Sequence, residues 1–197
     1  MEITEVFEFY RTEFIPAYSD LVGFLLKKPR QVLTEQENAL SHISQYFNPV
    51  LPSEKREENL KKSYSHLVRV TLDCYKLLLV QINKELELIY VDDKKRTFAL
   101  NISEEEFLIK YNKLRKTAQE ARNIELVNMG NDPLVAIEEY KKAIKIGKEL
   151  FEKIDKDKLR KLDGFRRIIT SKGVIISFIL GLVVGLITDC IWSLMTP

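Results

Sequence analysis

The chain is poor in the residues that build turns, staples and reactive centres. Seven glycines and six prolines in 197 residues are too few for the many turns of a β-sandwich or barrel. Two cysteines, Cys74 and Cys190, give no disulfide framework, and this usage suits a reducing compartment. Two histidines, His42 and His66, occur in no HxxxH or ExxH spacing, so no zinc-protease helix or di-iron bundle is indicated. GxxxxGK[ST], GxGxxG and GxSxG are all absent, which removes the phosphate-cradling loops and the nucleophile elbow. Cys74 lies among Leu72, Tyr75 and Leu77 and reads as a packed thiol. No residue is therefore nominated as catalytic, and none as a metal or cofactor ligand. The acidic start MEITEVFEFYRTEF has no basic segment followed by an apolar one, so no signal peptide is expected.

Net charge is also nearly absent, at +2, but it is unevenly placed. Residues 1–150 carry 23 basic and 24 acidic side chains, residues 151–172 carry 8 and 4, and beyond them Asp189 stands alone. A balanced, highly charged body is thus followed by a basic collar and an apolar tail. With 45% apolar and 30% charged residues, the body has a folding composition. Its lack of net positive charge argues against nucleic acid as a partner.

Hydrophobic spacing predicts helices and no strand. A first helix is expected over Ile3–Phe14, broken or kinked at Pro16, followed by a short apolar stretch from Leu21 to Leu26. A second is expected over Val32–Phe47, with Leu33, Leu40, Ile43 and Phe47 inward. The third begins at Ser53 as N-cap and meets no breaker before Asp92-Asp93. Leu60, Tyr64, Leu67, Thr71, Tyr75, Leu78, Ile82, Leu86 and Ile89 form its stripe. At roughly 36 residues, or ~54 Å, it should be the spine of a bundle or an oligomer.

Residues 92–102 read as a loop. Ser103 with Glu106 forms a capping box that opens a helix to about Met129. Gly130-Asn131-Asp132-Pro133 is a stop and restart, and the next helix should continue to about Leu159, with Asp163-Gly164 interrupting before the tail. The run around Gly130, Ala136, Tyr140 and Ala143 resembles the second half of a tetratricopeptide repeat. No second copy appears at a 34-residue period, so a helical hairpin with alanine at the contact is expected. The fold class expected is all-α: an antiparallel bundle of about five helices, one very long, with a single C-terminal transmembrane helix. The organisation expected is a cytoplasmic bundle over 1–150, a basic juxtamembrane segment over 151–172 and a tail anchor over 173–194.

The tail carries most of the functional information. Gly173–Ile187 holds no charge, and the 22 residues from Gly173 to Leu194 would span about 33 Å as a helix, enough for a ~30 Å hydrocarbon layer. Arg166, Arg167 and Lys172 precede it as lipid-contacting cations, with the bundle on the cytoplasmic side. Trp192 suits the far interface. Gly173, Ser177, Gly181 and Gly185 recur every four residues, the spacing through which membrane helices pack closely. Asp189 continues that row as a polar residue near one mouth of an assembly.

These features suggest a non-enzymatic, membrane-anchored protein that oligomerises or docks a cytoplasmic partner. The alternative is a membrane-permeabilising effector of a microbial defence or toxin system. A third reading is a membrane-bound ribonuclease of the HEPN type, whose helical bundles place an arginine with four to six residues between it and a histidine. Ahead of His66 those positions hold Lys61, Leu60 and Asn59, so the motif is not met and only Lys61 could substitute.

Overall fold

The computed structural model describes residues 1–128, 132 and 134–195, the side chains of 171 and 186–195 excepted. It is all-helical, and the described residues contain no strand. α1 (Ile3–Phe9) runs through one π-helical turn, Tyr10–Phe14, directly into α2 (Ile15–Leu25). The break expected at Pro16 does not occur. A proline inside an α-helix removes an amide donor and presses its ring on the carbonyl four residues back. Here the Ile15 N–H already bonds five residues back to the Tyr10 carbonyl, and this wider turn accommodates Pro16. The Leu21–Leu26 stretch is therefore the end of that helix, which Leu26 terminates at φ 55°.

α3 (Arg30–Tyr46) packs along α4 (Ser53–Tyr90), a helix of 38 residues. Except for the half-buried Tyr64, every residue of the expected α4 stripe is buried. The N-cap of α4 is Pro52, and Ser53 is its first helical residue without a capping hydrogen bond. α4 touches α1, α2, α3, α5, α6 and α7, which makes it the spine of the bundle. Between Leu67 and Tyr75 nearly every α4 residue is buried, because helices close on it from all sides. On α3 the buried residues are Val32 and Ala39, whereas Leu40 and Phe47 are 66% and 62% exposed. The inward face is thus rotated from the expected one, because α1 leaves part of the Leu33, Leu40 and Ile43 side open.

Residues 93–99 form a short helix, α5 (Asp93–Ala99), where a loop was expected. The Asp92 carboxylate accepts from the Lys95 amide at 3.1 Å and so caps it. Arg96 donates to the Tyr90 carbonyl, to Asp93 and to Glu104, which ties α5 between its neighbours. α6 (Glu104–Val127) starts at Ser103, whose hydroxyl accepts the Glu106 amide at 3.1 Å. The stop and restart at 129–133 lies, apart from Asp132, outside the described residues; the Asp132 carboxylate accepts the Leu134 amide.

α7 (Val135–Glu152) ends seven residues before the expected Leu159. The chain instead pairs Leu100 with Ile154 in an isolated bridge, with Asn101 N–H to Lys153 O and Asp155 N–H to Ala99 O, both 2.8 Å. The Asp155 carboxylate then accepts the amides of Asp157 and Lys158, opening α8 (Lys156–Met195), 40 residues without interruption. Asp163-Gly164 does not break it. Lys95 holds Asp163 at 3.3 Å, and a helical glycine with open space around it costs only about 1 kcal/mol relative to alanine.

Pairing order sets the directions. Gln31, Glu35 and His42 of α3 meet Asp73, His66 and Asn59 of α4, so those helices are antiparallel. α6 and α7 form a hairpin over Ala121, Ala136 and Ala143, all fully buried. Gly147 of α7 lies where a Cβ would come within 2.6 Å of the Ile82 Cγ2 methyl, so a side chain there would have to displace that methyl.

Candidate functional site

The α3–α4 contact has a polar edge with a repeat the sequence analysis did not recognise. On α4, Asn59, His66 and Asp73 are seven apart and therefore share one face. Each meets a polar residue of α3. Asn59 Oδ1 is 2.8 Å from His42 Nδ1, Glu35 Oε2 is 2.7 Å from His66 Nδ1, and Gln31 Nε2 donates to Asp73 at 2.6 Å. Beside that row runs another at the same spacing, Lys55, Lys62, Arg69 and Lys76. Lys55 and Lys62 both pair with Glu58 at 2.8 Å, and Arg69 comes within 3.7 Å of the Glu35 carboxylate.

The two histidines stack face to face, ring centroids 5.2 Å apart and planes 19° from parallel. Their partners fix the tautomers. Asn59 donates its amide to the Lys55 carbonyl at 2.8 Å, so its oxygen faces His42 and must accept from the Nδ1–H. Glu35 can only accept, so His66 also carries its hydrogen on Nδ1. Neither Nε2 is a buried atom without a partner. Nearly parallel rings direct their in-plane lone pairs along parallel planes, which does not suit joint coordination of one metal ion. No group of three or more possible metal ligands occurs among the described residues.

The edge continues into a buried ionic cluster. Lys76 bridges Asp73 at 2.8 Å and Glu125 at 3.1 Å; Glu125 also accepts from Tyr140 at 2.6 Å and Arg122 at 2.9 Å. Burial pushes the Glu125 carboxyl up, but the hydrogen bonds from Tyr140 and Lys76 and the nearby charge overrule it and hold the group below its ordinary value. Burial and the Glu125 carboxylate together raise Tyr140. Each carboxylate oxygen of Asp73 and Glu125 has a partner, so the cluster reads as an architectural joint between α4, α6 and α7. Cys74 is fully buried, and its surroundings push the thiol up to about 12, so it is not a nucleophile.

An apolar groove of about 380 Å³ opens on the other flank of α3. Phe7 and Tyr10 of the first helix face Leu33, Leu40 and Ile43 of α3 across it, over a floor that includes Val6 and Leu67. Leu33, Leu40 and Ile43 were expected to be core residues; here they form a recess.

The residues named for the membrane segment lie along α8. Arg166 forms a bidentate pair with Asp92 and also tops α5, while Arg167 and Lys172 are exposed. The Arg166 guanidinium holds the Asp92 carboxyl down at about 2. Gly173, Ser177, Gly181 and Gly185 are exposed, and a Cβ on any of those glycines would meet no atom within 4 Å. Among the described residues, one helix is long and apolar enough to cross a membrane, with none of its apolar window buried. The side chains of Asp189 and Trp192 lie outside the described residues. The α8 residues were found from hydropathy alone. The His42–His66 pair was missed because its partners come from two helices, though the seven-residue rows on α4 were visible. No family model, curated protein or solved structure matches this chain.

Proposed function

We propose that the chain is a membrane-anchored helical docking protein, with 173–194 crossing the bilayer and the bundle on the cytoplasmic side. The observation that supports this is α8. It is one unbroken helix, clamped to the bundle at its base by Arg166–Asp92 and Lys95–Asp163, and apolar and uncovered over Gly173–Gly185. None of the 18-residue apolar window of this helix is buried, so in water it would present an apolar surface to solvent, a state that a bilayer relieves. The excess of cations over 151–172 favours the cytoplasmic leaflet, with Arg167 and Lys172 available to lipid phosphate and Arg166 committed to Asp92. The groove beside α3 is the face offered to a cytoplasmic partner. The test is fractionation: the full chain should stay with membranes through alkaline carbonate, and a 1–172 truncation should be soluble. A full chain released by carbonate would refute the anchor.

The bare row of Gly173, Ser177, Gly181 and Gly185 favours self-association as well, and with it the second reading, a permeabilising effector of a microbial defence or toxin system. Replacing Gly181 and Gly185 by leucine should then abolish both the detergent-stable oligomer and growth inhibition on overexpression. Unchanged inhibition would refute the effector reading while leaving the anchor intact.

A further inference from the structure

The second half of α4 carries an apolar stripe that the described residues leave largely bare. Val80 and Val91 are 67% exposed and Leu88 52%, with the half-buried Leu77 beside them. At about 100° per residue, Leu77, Lys84, Leu88 and Val91 fall within about 80° of Val80, all to one side. Asn59, His66 and Asp73 fall in the same sector, at about 60°, 40° and 20°. Those three are the residues that meet α3 along its polar edge. α3 begins at Arg30 and its Gln31 reaches Asp73, so its cover stops there. The sector is therefore polar where a helix lies on it and apolar where none does, the reverse of what exposure to water favours.

α6 walls the stripe on one side. It is pinned along α4 at both ends, by Glu125 to Lys76 at 3.1 Å and by Tyr111 against Tyr90, ring centroids 4.7 Å apart. Tyr111, Arg115, Ala118 and Arg122 share one face of α6 by their spacing. Between the pins, Ala118 and Arg122 meet Leu77 and Val80 in a cavity of about 460 Å³, which Gln31 borders at the α3 end. The trough thus continues the path of α3 between α4 and α6. From Leu77 to Val91 it runs about 21 Å, the length of a helix of about 14 residues. Cations predominate along it. Lys84 and Arg115 are exposed and make no ion pair among the described residues, while Arg122 gives one nitrogen to Glu125 and is 51% exposed. Against them α4 sets the carboxylate of Glu87 at the border of the stripe.

We propose that the α4–α6 trough docks an amphipathic helix of a partner protein, laid end to end with α3, apolar toward Val80 and its neighbours and acidic along its edges. A helix is the occupant because the same sector of α4 already accepts one in α3, and a second helix extends that contact. Acidic edges meet Arg115, Lys84 and the outer side of Arg122, whereas a basic helix would set like charges against them. Burial of Val80, Leu88 and Val91 supplies the affinity, and the charges at the rim select which helix enters. This face is separate from the groove beside α1, and its use does not depend on the anchor.

The experiment uses the full-length chain in mild detergent and fluorescent helical peptides of about four turns. One peptide has leucine along a single face and glutamate on both flanks; a second replaces the glutamates by lysine; a third scrambles the first. Fluorescence anisotropy should show saturable binding of the glutamate peptide, about tenfold tighter or more than either control. Val80→Asp should weaken it about tenfold, and Arg115→Glu should weaken it while strengthening the lysine peptide. Both positions are exposed, and circular dichroism checks that the variants fold. Val50→Asp, at an 87% exposed residue far along the chain from the trough, should leave binding unchanged. The proposal is overturned by no binding, by binding that does not favour the glutamate peptide, or by unchanged affinity in the folded Val80→Asp and Arg115→Glu variants. Binding lost in Leu40→Asp and kept in Val80→Asp would seat the helix in the groove beside α3, refuting this site and sparing the docking reading. An oligomer that Val80→Asp dissolves and the peptide cannot displace would make a second copy the occupant and refute the proposal. None of these outcomes bears on the carbonate test of the anchor.

Discussion

Gly147 offers a sharp test of how α7 is seated on the spine. A methyl at this position would lie 2.6 Å from Ile82 Cγ2, while its other neighbours, Leu114 Cδ1 and Ile82 Cβ, stand at ordinary contact distances of 3.6 and 3.7 Å. One clash, with one methyl, is therefore the whole obstacle. Both residues are buried, so the strain has no outlet to solvent. Overpacking of this kind costs about 1–3 kcal/mol, while glycine to alanine in a helix interior returns about 1 kcal/mol. Gly147→Ala should accordingly destabilise the chain by ~1 kcal/mol. Ile82→Ala alone should cost about 2–5 kcal/mol through its cavity. In that background Gly147→Ala should change sign, because the clash is gone and the propensity gain remains. The expected coupling is about 2 kcal/mol, within the range for directly touching residues. Urea denaturation of the four variants in mild detergent, followed by far-UV circular dichroism, measures it. Additive effects, or a stabilising Gly147→Ala in the wild-type background, would refute the close approach of α7 to α4.

Further outcomes follow from the polar groups. Glu125→Gln removes the charge shared by Lys76, Arg122 and Tyr140, and should cost about 3 kcal/mol in the same denaturation, since it leaves Lys76 half-paired in a buried site. Glu125 and Asp92 are both depressed in the folded chain, Asp92 to about 2. A depressed carboxyl contributes stability above its unfolded value and loses it as pH falls toward the folded one. Unfolding midpoints should therefore drop between about pH 4 and pH 2, and less steeply in Asp92→Asn. The buried Ser63 hydroxyl has no hydrogen-bond partner among the described residues, so Ser63→Ala should be neutral or stabilising by up to ~1 kcal/mol in thermal melts. In a Cys190→Ser chain the Cys74 thiol should resist a thiol reagent at pH 8 until denaturant is added, and fast labelling of that native chain would contradict its burial.

Most of the bundle was legible because helical periodicity survives wherever one face is buried. The α4 stripe from Leu60 to Ile89 was recoverable from spacing alone. The errors have local causes. Pro16 reads as a kink or a break, and the break does not occur, because a π turn upstream leaves no mark in the hydrophobic pattern. Residues 93–99 looked like a loop because their charges hid a helix held by Asp92 and Arg96. Asp163-Gly164 looked like an interruption, yet α5 supports the helix there through Lys95. The histidine pair was hidden for another reason. A motif search works along one chain segment, whereas His42 and His66 meet only because α3 and α4 run antiparallel with matching registers.

The unbroken α8 has a consequence for how two copies could meet. At about 100° of rotation per residue, Gly173 and Ser177 fall within about 20° of the direction of Arg166, the residue that faces α5. Gly181 and Gly185 lie about 60° and 100° around from it. The lower half of the small-residue row thus shares an azimuth with the bundle itself. Two helices joined along Gly173 and Ser177 would drive their bundles into one another, while a contact centred on Gly181 and Gly185 would leave them side by side. If α8 is the proposed anchor and pairs in the bilayer, that pairing and the spacing of the bundles are one variable. Anything wedged beside α5 would then act on the paired helices as a spacer acts on a pair of tongs.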